Sequence, residues 1–283
     1  MMKGLVFVCA LLVVESFAMP KSAPLPRHPS QDLIDAAKIE VEQLTNSRII
    51  EGEDAEIVNN PWQVSLRVLS SHSCGGVILN SDTILTAAHC VDGLIPSFYS
   101  VYYGSSNRDN GGTTVSIANI YQHPSYNQGT GSYPNDIAVL KLRNPIALDS
   151  NENAAAIPLN TRTNSELARL GFGDCRITGW GRTFGDDDLP LLLQGANINV
   201  LEDSVCKQSW GSGIHDPIHI CVGGQGTSGA CNGDSGGPLV CKNTQGEMEL
   251  VGVTSWGATG CPATSPSVYT EVLYFTDFIR AYM

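Results

Sequence analysis

Residues 233–238 read Gly-Asp-Ser-Gly-Gly-Pro, and they are the most informative stretch of the chain. A serine hydroxyl is a poor nucleophile unless a base takes its proton and nearby donors receive the charge of the attacked carbonyl. The glycines on both sides of Ser235 permit a turn tight enough for two backbone N–H groups to point at one oxygen. A glycine-rich turn with no catalytic role explains the same residues, so this stretch alone leaves both interpretations open.

Two further stretches supply candidates for the groups that such a serine needs. Thr86-Ala87-Ala88-His89-Cys90 places a histidine after small residues and beside a cysteine that can hold it still. Asn135-Asp136-Ile137 places a carboxylate just before an apolar run, from where it could fix the tautomer of the histidine. Taken singly, His89 is also explained as a structural histidine and Asp136 as a turn residue at a strand end.

The regions around these motifs predict an all-β protein. From Ile49 onward, short β-type runs alternate with glycine-rich turns, which is typical of an antiparallel barrel or sandwich. The clearest late helix is predicted over residues 272–282. Examples of the predicted strands are residues 62–68, 77–79, 83–86, 100–103, 137–142, 197–201, 239–241 and 250–255.

Charge limits the kinds of partner. The 283 residues include 28 acidic and 16 basic side chains, which gives a net charge of −12 at pH 7. Nucleic acid and anionic membrane surfaces would both be repelled, so neither is expected as a partner.

The N-terminus indicates secretion. Lys3 precedes an apolar run over residues 5–14, and small residues follow at Ser16 and Ala18, which is the pattern of a signal peptide over residues 1–18. Residues 19–48 contain four prolines and a short amphipathic helix predicted over residues 31–44. Arg48 ends this segment, where the composition becomes apolar. We therefore expect a secreted, extracellular product with a propeptide over residues 19–48.

Cysteine usage agrees with an oxidising compartment. Cys9 lies in the signal peptide and eight cysteines remain, which predicts four disulfides among 105 possible pairings. A zinc site is disfavoured because the sequence has no Cys-x-x-Cys pair.

Together the three motifs resemble those of the chymotrypsin–trypsin family of serine endopeptidases. Their order along the chain, histidine then aspartate then serine, separates that family from subtilisins and α/β-hydrolases. The resemblance covers residues 49–283, and within the family the chain looks most like the secreted chymotrypsin-like digestive proteases of arthropods. It implies two packed six-stranded antiparallel β-barrels with a C-terminal helix, in a protease domain over residues 49–283.

The resemblance also implies roles for individual residues. Ser235 would attack the scissile carbonyl, His89 would act as general base and acid, and Asp136 would orient His89. The N–H groups of Gly233 and Ser235 would form the oxyanion hole. The implied disulfides are Cys74–Cys90, Cys175–Cys241, Cys206–Cys221 and Cys231–Cys261.

A zymogen is implied as well. A trypsin-like protease would cut between Arg48 and Ile49, and the new α-amino group would pair with Asp234. Before the cut, His72 and Ser65 stand at the positions where relatives hold that aspartate. The chain departs from the family pattern at Glu51, where glycine is commoner, and we expect no harm to the insertion.

Specificity is inferred from three positions of the implied primary pocket. Gly229 at the base and Ser267 on the wall carry no charge, which disfavours cleavage after Lys or Arg. Gly257 leaves the mouth open, and the backbone over residues 255–257, which includes Ser255 and Trp256, would pair with the substrate. We expect a preference for large apolar or aromatic residues before the scissile bond. Elastase-like or broad collagenase-like specificity is the alternative.

The resemblance also bears on cofactors, metals and protein partners. No cofactor and no metal site are expected, and the run over residues 186–188 is interpreted as solvated acidic residues. The expected partners are protein or peptide substrates, an activating trypsin-like protease and protein inhibitors of proteases, and we expect a monomer. Digestion is the favoured role over regulation. A non-catalytic homologue that only binds proteins is the alternative of another class.

Overall fold

The computed structural model describes residues 52–148, 150–183, 188–224, 226 and 228–283. All of them belong to one compact unit that spans residues 45–283. The predicted signal peptide, propeptide and helix over residues 31–44 lie outside the described residues. The same is true of Arg48, Ile49, Glu51 and residues 186–187 of the acidic run.

The first half of this unit is a closed barrel of six antiparallel strands. Its strands pair in the order β2-β3-β4-β7-β6-β5, and β5 pairs back onto β2. Strand β4 is buried along its whole length, and its Ile84 and Leu85 have no exposed surface. The strands are β2 (Gln63–Val68), β3 (Ser71–Asn80), β4 (Thr83–Thr86), β5 (Tyr99–Tyr103), β6 (Thr113–Gln122) and β7 (Ala138–Leu142).

The second half is a seven-stranded sheet with the order β1-β9-β8-β11-β12-β13-β10. Its two ends come together, because Val200 bridges Val222 and the N–H of Leu201 donates to the carbonyl of Cys221 over 2.9 Å. Strand β1 adds two residues outside this near-closed ring of six. The strands are β1 (Glu53–Asp54), β8 (Cys175–Gly179), β9 (Gln194–Ile198), β10 (His219–Val222), β11 (Pro238–Lys242), β12 (Met248–Trp256) and β13 (Ser267–Glu271).

Three short α-helices complete the described part of the chain: α1 (Asn164–Leu167), α2 (Asp203–Trp210) and α3 (Thr276–Arg280). Helix α3 is shorter than the helix predicted over residues 272–282, because residues 272–275 form a turn whose carbonyls accept bonds from the Thr276 hydroxyl. Phe275 and Ile279 pack into the core of the first barrel. The C-terminal helix therefore ties the end of the second sheet to the first half.

These observations confirm the predicted fold class, a mostly β protein with two antiparallel sheets and a C-terminal helix. The four disulfides are Cys74–Cys90, Cys175–Cys241, Cys206–Cys221 and Cys231–Cys261, the same pairs that the resemblance implies. In the described part of the chain, no helix is long and apolar enough to cross a membrane.

Candidate active site

His89 and Asp136 are joined at the inner edge of the first barrel. His89 lies in a short 3₁₀ turn after β4, and Asp136 lies two residues before β7, which pairs with β4. The Nδ1–H of the His89 ring donates to Oδ2 of Asp136 over 2.7 Å, and the His89 backbone N–H donates to Oδ1 over 2.9 Å. This carboxylate fixes the ring and its tautomer, which leaves Nε2 with a free lone pair to accept a proton.

The second sheet completes the surroundings of Asp136. The hydroxyl of Ser255, on β12, donates to Oδ2 of Asp136 over 2.5 Å. The hydroxyl of Thr270, on β13, donates to the Asp136 carbonyl over 2.8 Å. Asp136 is fully buried, so its carboxylate depends on the donors from His89 and Ser255 in place of water. The residues that hold Asp136 therefore come from both sheets.

The loop that carries Ser235 is anchored to both sheets. The N–H of Gly75, on β3, donates to the Ser235 carbonyl over 2.7 Å, and the N–H of Gly236 donates to the carbonyl of Thr254 over 2.8 Å. Gly233 has a φ of +102°, which side chains disfavour. Among the described residues, the N–H groups of Gly233 and Ser235 have no acceptor, so both remain available to a bound ligand.

Ser235 and His89 line one cavity of about 340 Å³ at the junction of the two sheets. Its other walls come from the loop before Ser235 and from the end of β12. None of these lining residues, all of them in the described part of the chain, carries an Asp, Glu, Lys or Arg side chain. The other lining residues are Tyr133, Ala230, Cys231, Asn232, Thr254, Ser255, Trp256, Gly257, Ala258, Thr259 and Cys261.

The predicted pocket positions Gly229 and Ser267 adjoin this cavity at Ala230, which lines it. The Ser267 hydroxyl is buried and accepts the N–H of Ala230 over 3.0 Å. A Cβ atom added to Gly229 would lie 3.1 Å from the same hydroxyl oxygen. Trp256 and Gly257 form a wall of the cavity. The structure therefore brings together the predicted pocket positions, and Ser267 fills space beside Gly229.

Asp234 lies next to Ser235 but faces away from the cavity, and it is 3% exposed. Its carboxylate accepts hydrogen bonds from the backbone N–H groups of Gly181, over 2.8 Å, and Cys231, over 2.9 Å. A Cβ on Gly181 would lie 2.3 Å from Cγ of Asp234, so the carboxylate occupies space that only glycine leaves free. Burial raises the pKa of Asp234 to about 6, against the opposing effect of the two N–H bonds.

His72 and Ser65 lie together on the other side of the same loop. The Ser65 hydroxyl donates to Nδ1 of His72 over 2.8 Å, and Nε2–H of His72 donates to the Gly233 carbonyl over 3.0 Å. Burial lowers the pKa of His72 to about 4, so this ring is neutral. In this structure His72 holds the Gly233 carbonyl, and its contact with the carboxylate of Asp234 stays a prediction for another state of the chain.

One group of donor atoms in the described residues has the compactness of a metal site, and it contains Cys74, His89 and Cys90. The two cysteines are joined in a disulfide, so neither sulfur is a thiolate that could bind a metal ion. The disulfide fixes the position of Cys90, the residue that follows His89.

Sequence reasoning missed three contacts of the site. Ser255 was singled out for its backbone, yet its hydroxyl contacts Asp136. The contact from Thr270 was not foreseen, nor was the tilted packing of the Tyr133 ring against His89 at 5.9 Å. Ser255 and Thr270 lie 119 and 134 residues from Asp136 along the chain, so no local pattern marks their contacts. Tyr133 lies just before Asn135-Asp136, and this position was the one available signal.

Comparisons with known proteins agree with the family that the motifs around His89, Asp136 and Ser235 indicate. A family model described as Trypsin matches residues 49–279. The fibrinolytic enzyme, isozyme C, of Lumbricus rubellus is 41% identical over 245 residues, which cover 82% of this chain and 98% of that protein. Trypsin delta and trypsin gamma of Drosophila melanogaster are each 36% identical over 238 residues, which cover 83% of this chain and 88% of each relative. The region matched by the family model contains every strand described above.

Proposed function

Because this chain belongs to the trypsin family of serine endopeptidases, we propose that it is secreted as a zymogen and hydrolyses proteins through His89, Asp136 and Ser235. The observation that carries the proposal is the 2.7 Å hydrogen bond from Nδ1–H of His89 to Asp136, with the ring in the cavity that Ser235 also lines. A ring held in this tautomer can accept the Ser235 proton at Nε2.

The proposed reaction proceeds through an acyl-enzyme. Ser235 Oγ attacks the scissile carbonyl while His89 Nε2 takes its proton, and the imidazolium that forms is stabilised by Asp136. The negatively charged oxygen of the tetrahedral intermediate accepts hydrogen bonds from the N–H groups of Gly233 and Ser235. His89 then donates the proton to the leaving amine, and a water molecule releases the acyl group by the same steps.

Activation is proposed to depend on Asp234. A buried carboxylate without a cation is costly, and the pKa of Asp234 is raised to about 6 in its present surroundings. Cleavage after Arg48 by a trypsin-like protease would free the α-amino group of Ile49, which could supply that cation. The Ser235 loop and the pocket loops would then be held in their active conformation. Ser65 and His72 would hold Asp234 before cleavage.

We propose that the primary pocket takes large apolar or aromatic side chains. We do not transfer the specificity of the relatives named trypsin, because among the described residues no acidic side chain lines this cavity and Gly229, at the predicted base, is uncharged. The described residues that line the cavity carry no formal charge apart from His89, which suits an apolar side chain better than a charged one. The substrate backbone would pair with residues 255–257 as an added strand.

One observation favours a second candidate, which is elastase-like specificity for small side chains. The Ser267 hydroxyl is bonded to the N–H of Ala230 and lies beside Gly229, so at the predicted base of the pocket it would leave less depth than a glycine at position 267. A difference of one methylene in such a pocket changes binding by only about 1–3 kcal/mol, so the two candidates differ in degree.

The test is a substrate series on the processed enzyme. The proform is cut with trypsin, the new Ile49 N-terminus is verified, and kcat/KM is measured on peptides that differ only in the residue before the scissile bond. We expect cleavage after Phe, Tyr and Leu to exceed cleavage after Ala and Val by roughly tenfold or more. A reversed order would favour the elastase-like candidate.

Ser235→Ala is the matched control, since it removes the nucleophile with little change in volume. Turnover that persists in this variant would contradict the proposed nucleophile. A correctly processed protein without any turnover would contradict the proposed function and favour a homologue that only binds proteins.

A further inference from the structure

The sequence contains two Asn-Gly pairs, Asn110-Gly111 and Asn232-Gly233. In such a pair the backbone nitrogen of the glycine can attack the side-chain carbonyl carbon of the asparagine, because glycine has no Cβ to obstruct the approach. A bond forms between the two atoms, ammonia leaves, and a cyclic succinimide results. Water then opens the ring at either of its carbonyls. The products are aspartate or isoaspartate and ammonia, and the reaction consumes only water.

The structure leaves the reacting atoms of Asn232-Gly233 free. Asn232 is exposed and lines the cavity that His89 and Ser235 share. Within the described part of the chain, the side-chain amide of Asn232 makes no hydrogen bond, and the N–H of Gly233 has no acceptor. A backbone nitrogen that is paired in a sheet would have to break its hydrogen bond before it could attack. The Gly233 nitrogen has no such bond to break.

The backbone on both sides of this pair is anchored. The Asn232 carbonyl accepts a hydrogen bond from the N–H of Arg182 over 2.8 Å. Cys231 belongs to a disulfide, and its carbonyl accepts the N–H of Asp234 over 3.0 Å. Isoaspartate routes the main chain through the former side chain and so lengthens it by one carbon atom. Because the flanking residues are held, that extra length would displace the N–H of Gly233.

The N–H of Gly233 is one of the two donors of the proposed oxyanion hole. Loss of one such donor lowers kcat by about 10²–10³-fold in a serine protease. Conversion to aspartate leaves the main chain unchanged but adds a negative charge next to the position where the oxyanion develops. That charge opposes formation of the oxyanion. Both products of the reaction at Asn232 are therefore expected to be less active.

We propose that Asn232 is a site of spontaneous deamidation, and that its conversion inactivates the enzyme with time. The effect on activity rests on the proposed function, whereas the conversion itself is a property of the Asn232-Gly233 pair. The glycine nitrogen attacks in its deprotonated form, so the conversion is faster at alkaline than at acidic pH. A secreted enzyme would thereby lose activity without a protease or an inhibitor.

The other pair is an internal reference for this chemistry. Asn110-Gly111 is exposed and lies between β5 and β6. Gly111 has a positive φ of +81°, as Gly233 does, and its N–H also has no acceptor among the described residues. Neither residue of this pair lines the catalytic cavity. Conversion of Asn110 should therefore leave activity unchanged.

The experiment follows conversion and activity in the same samples. The unprocessed protein is incubated at mildly alkaline pH, which avoids loss by self-digestion, until half of residue 110 has converted. Each sample is then cut with trypsin, and kcat/KM is measured on one short substrate. Mass spectrometry of the peptides that contain residues 110 and 232 measures replacement of the amide by an acid.

The matched variants are Asn232→Gln and Asn110→Gln. A glutamine side chain would have to close a larger ring, so its conversion is slower. Because Asn232 lines the cavity, each protein is compared with its own activity before incubation. Thermal unfolding before and after incubation checks that the fold is retained.

We expect the kcat/KM of the wild-type enzyme to fall to about half when half of residue 232 has converted, since the converted forms contribute little. Asn232→Gln should keep its starting value, and Asn110→Gln should lose activity as fast as wild type. The proposal is overturned if residue 232 stays an amide while residue 110 converts, or if conversion of residue 232 leaves activity intact. Absence of turnover in the fresh processed enzyme would instead overturn the proposed function, and conversion would still be measured by mass.

Discussion

Two buried aspartates of this protein have very different surroundings. Asp136 is fully buried and its carboxylate accepts three hydrogen bonds, two from His89 and one from the Ser255 hydroxyl. Asp234 is almost as buried, yet among the described residues its carboxylate accepts only the backbone N–H groups of Gly181 and Cys231. One carboxylate lies beside a ring that can become a cation, and the other lies beside amides alone.

We infer that the first carboxylate serves the proposed catalytic step and that the second serves the proposed activation step. The three donors to the Asp136 carboxylate all belong to the described residues, so the His89–Asp136 pair is assembled there. Among the same described residues no cation lies beside Asp234, and burial raises its pKa. We infer that the first site is built by folding and that the second awaits a group supplied by processing.

The largest effect should follow from removing the charge of Asp136. Asp136→Asn leaves the volume unchanged but lets His89 adopt the wrong tautomer. We expect kcat to fall by about 10⁴-fold, the loss known for this change in the best-studied triad of the family. Steady-state kinetics on the processed enzyme measure it, and thermal unfolding verifies the fold. A fall of less than tenfold would mean that Asp136 does not orient the base.

A smaller loss is expected from Asp234→Asn in the processed enzyme. The amide cannot pair with the proposed α-amino group, and removal of one partner of a buried ion pair costs about 3–5 kcal/mol. We expect kcat/KM to fall by roughly 10²-fold or more, because the Ser235 loop loses its anchor. The unprocessed Asp234→Asn protein serves as control for folding, since it has no free α-amino group at Ile49 with which residue 234 could pair. Full activity of processed Asp234→Asn would remove Asp234 from the activation step.

The pH dependence of stability should report which surroundings Asp234 has in the unprocessed protein. The expectation below holds for the surroundings described here, in which His72 bonds the Gly233 carbonyl, and not for the proposed contact of Asp234 with Ser65 and His72. The folded pKa of Asp234, about 6, lies above its ordinary value of 3.8, so the folded state binds this proton more tightly than the unfolded state. Stability is therefore lost as the pH rises from about 4 to 6, by no more than about 3 kcal/mol. The difference between wild type and Asp234→Asn in chemical denaturation isolates this effect.

Glu271 supplies the matched control for that measurement. Burial raises the pKa of Glu271 to about 7, so this group should make the wild-type protein lose stability as the pH rises towards 7. Glu271→Gln should remove that loss of stability, which continues to a higher pH than the loss caused by Asp234. If the two variants gave identical curves, or if stability rose between pH 4 and 6 because of Asp234, the proposed absence of a cation would be contradicted.

The smallest effect is expected from Ser255→Ala, which removes one of the three donors to the Asp136 carboxylate. A hydrogen bond to a charged group contributes about 1.5–3 kcal/mol, and the two bonds from His89 remain. We expect kcat to fall about fivefold to tenfold with KM nearly unchanged. The matched variant Thr270→Val, which removes a bond to the backbone carbonyl only, should lower stability more than kcat. Equal effects of the two variants on kcat would argue against a specific role of Ser255.

The sequence predicted the strands of the first barrel better than those of the second sheet. Residues 83–86 form the strand that their apolar pattern predicts, since both faces of β4 are buried. Strand β9 begins at Gln194, three residues before the predicted start, because a buried glutamine does not fit an apolar strand pattern. Its amide donates to the Leu192 carbonyl and to the carboxylate of Asp54 on β1, which is 140 residues away. Local pattern could not reveal that the second sheet closes through the Val200–Val222 bridge.

The candidate site was predictable where motifs are contiguous and unpredictable where distant residues meet. His89, Asp136 and Ser235 each stand in a recognisable motif. The contact from Ser255 to Asp136 joins residues 119 apart, and no local pattern marks it. The position of the Ser267 hydroxyl beside Gly229 likewise depends on a donor that no local pattern marks, the N–H of Ala230.

We propose that cleavage after Arg48 supplies a cationic partner for Asp234. The most direct measurement is kcat/KM on one short substrate, taken from the same purified sample before and after that cleavage, and again after the new α-amino group is blocked by carbamylation. We expect a rise of roughly 10²-fold or more on cleavage and a return toward the starting value on blocking. Equal activity before and after cleavage, or activity that carbamylation leaves intact, would contradict the account.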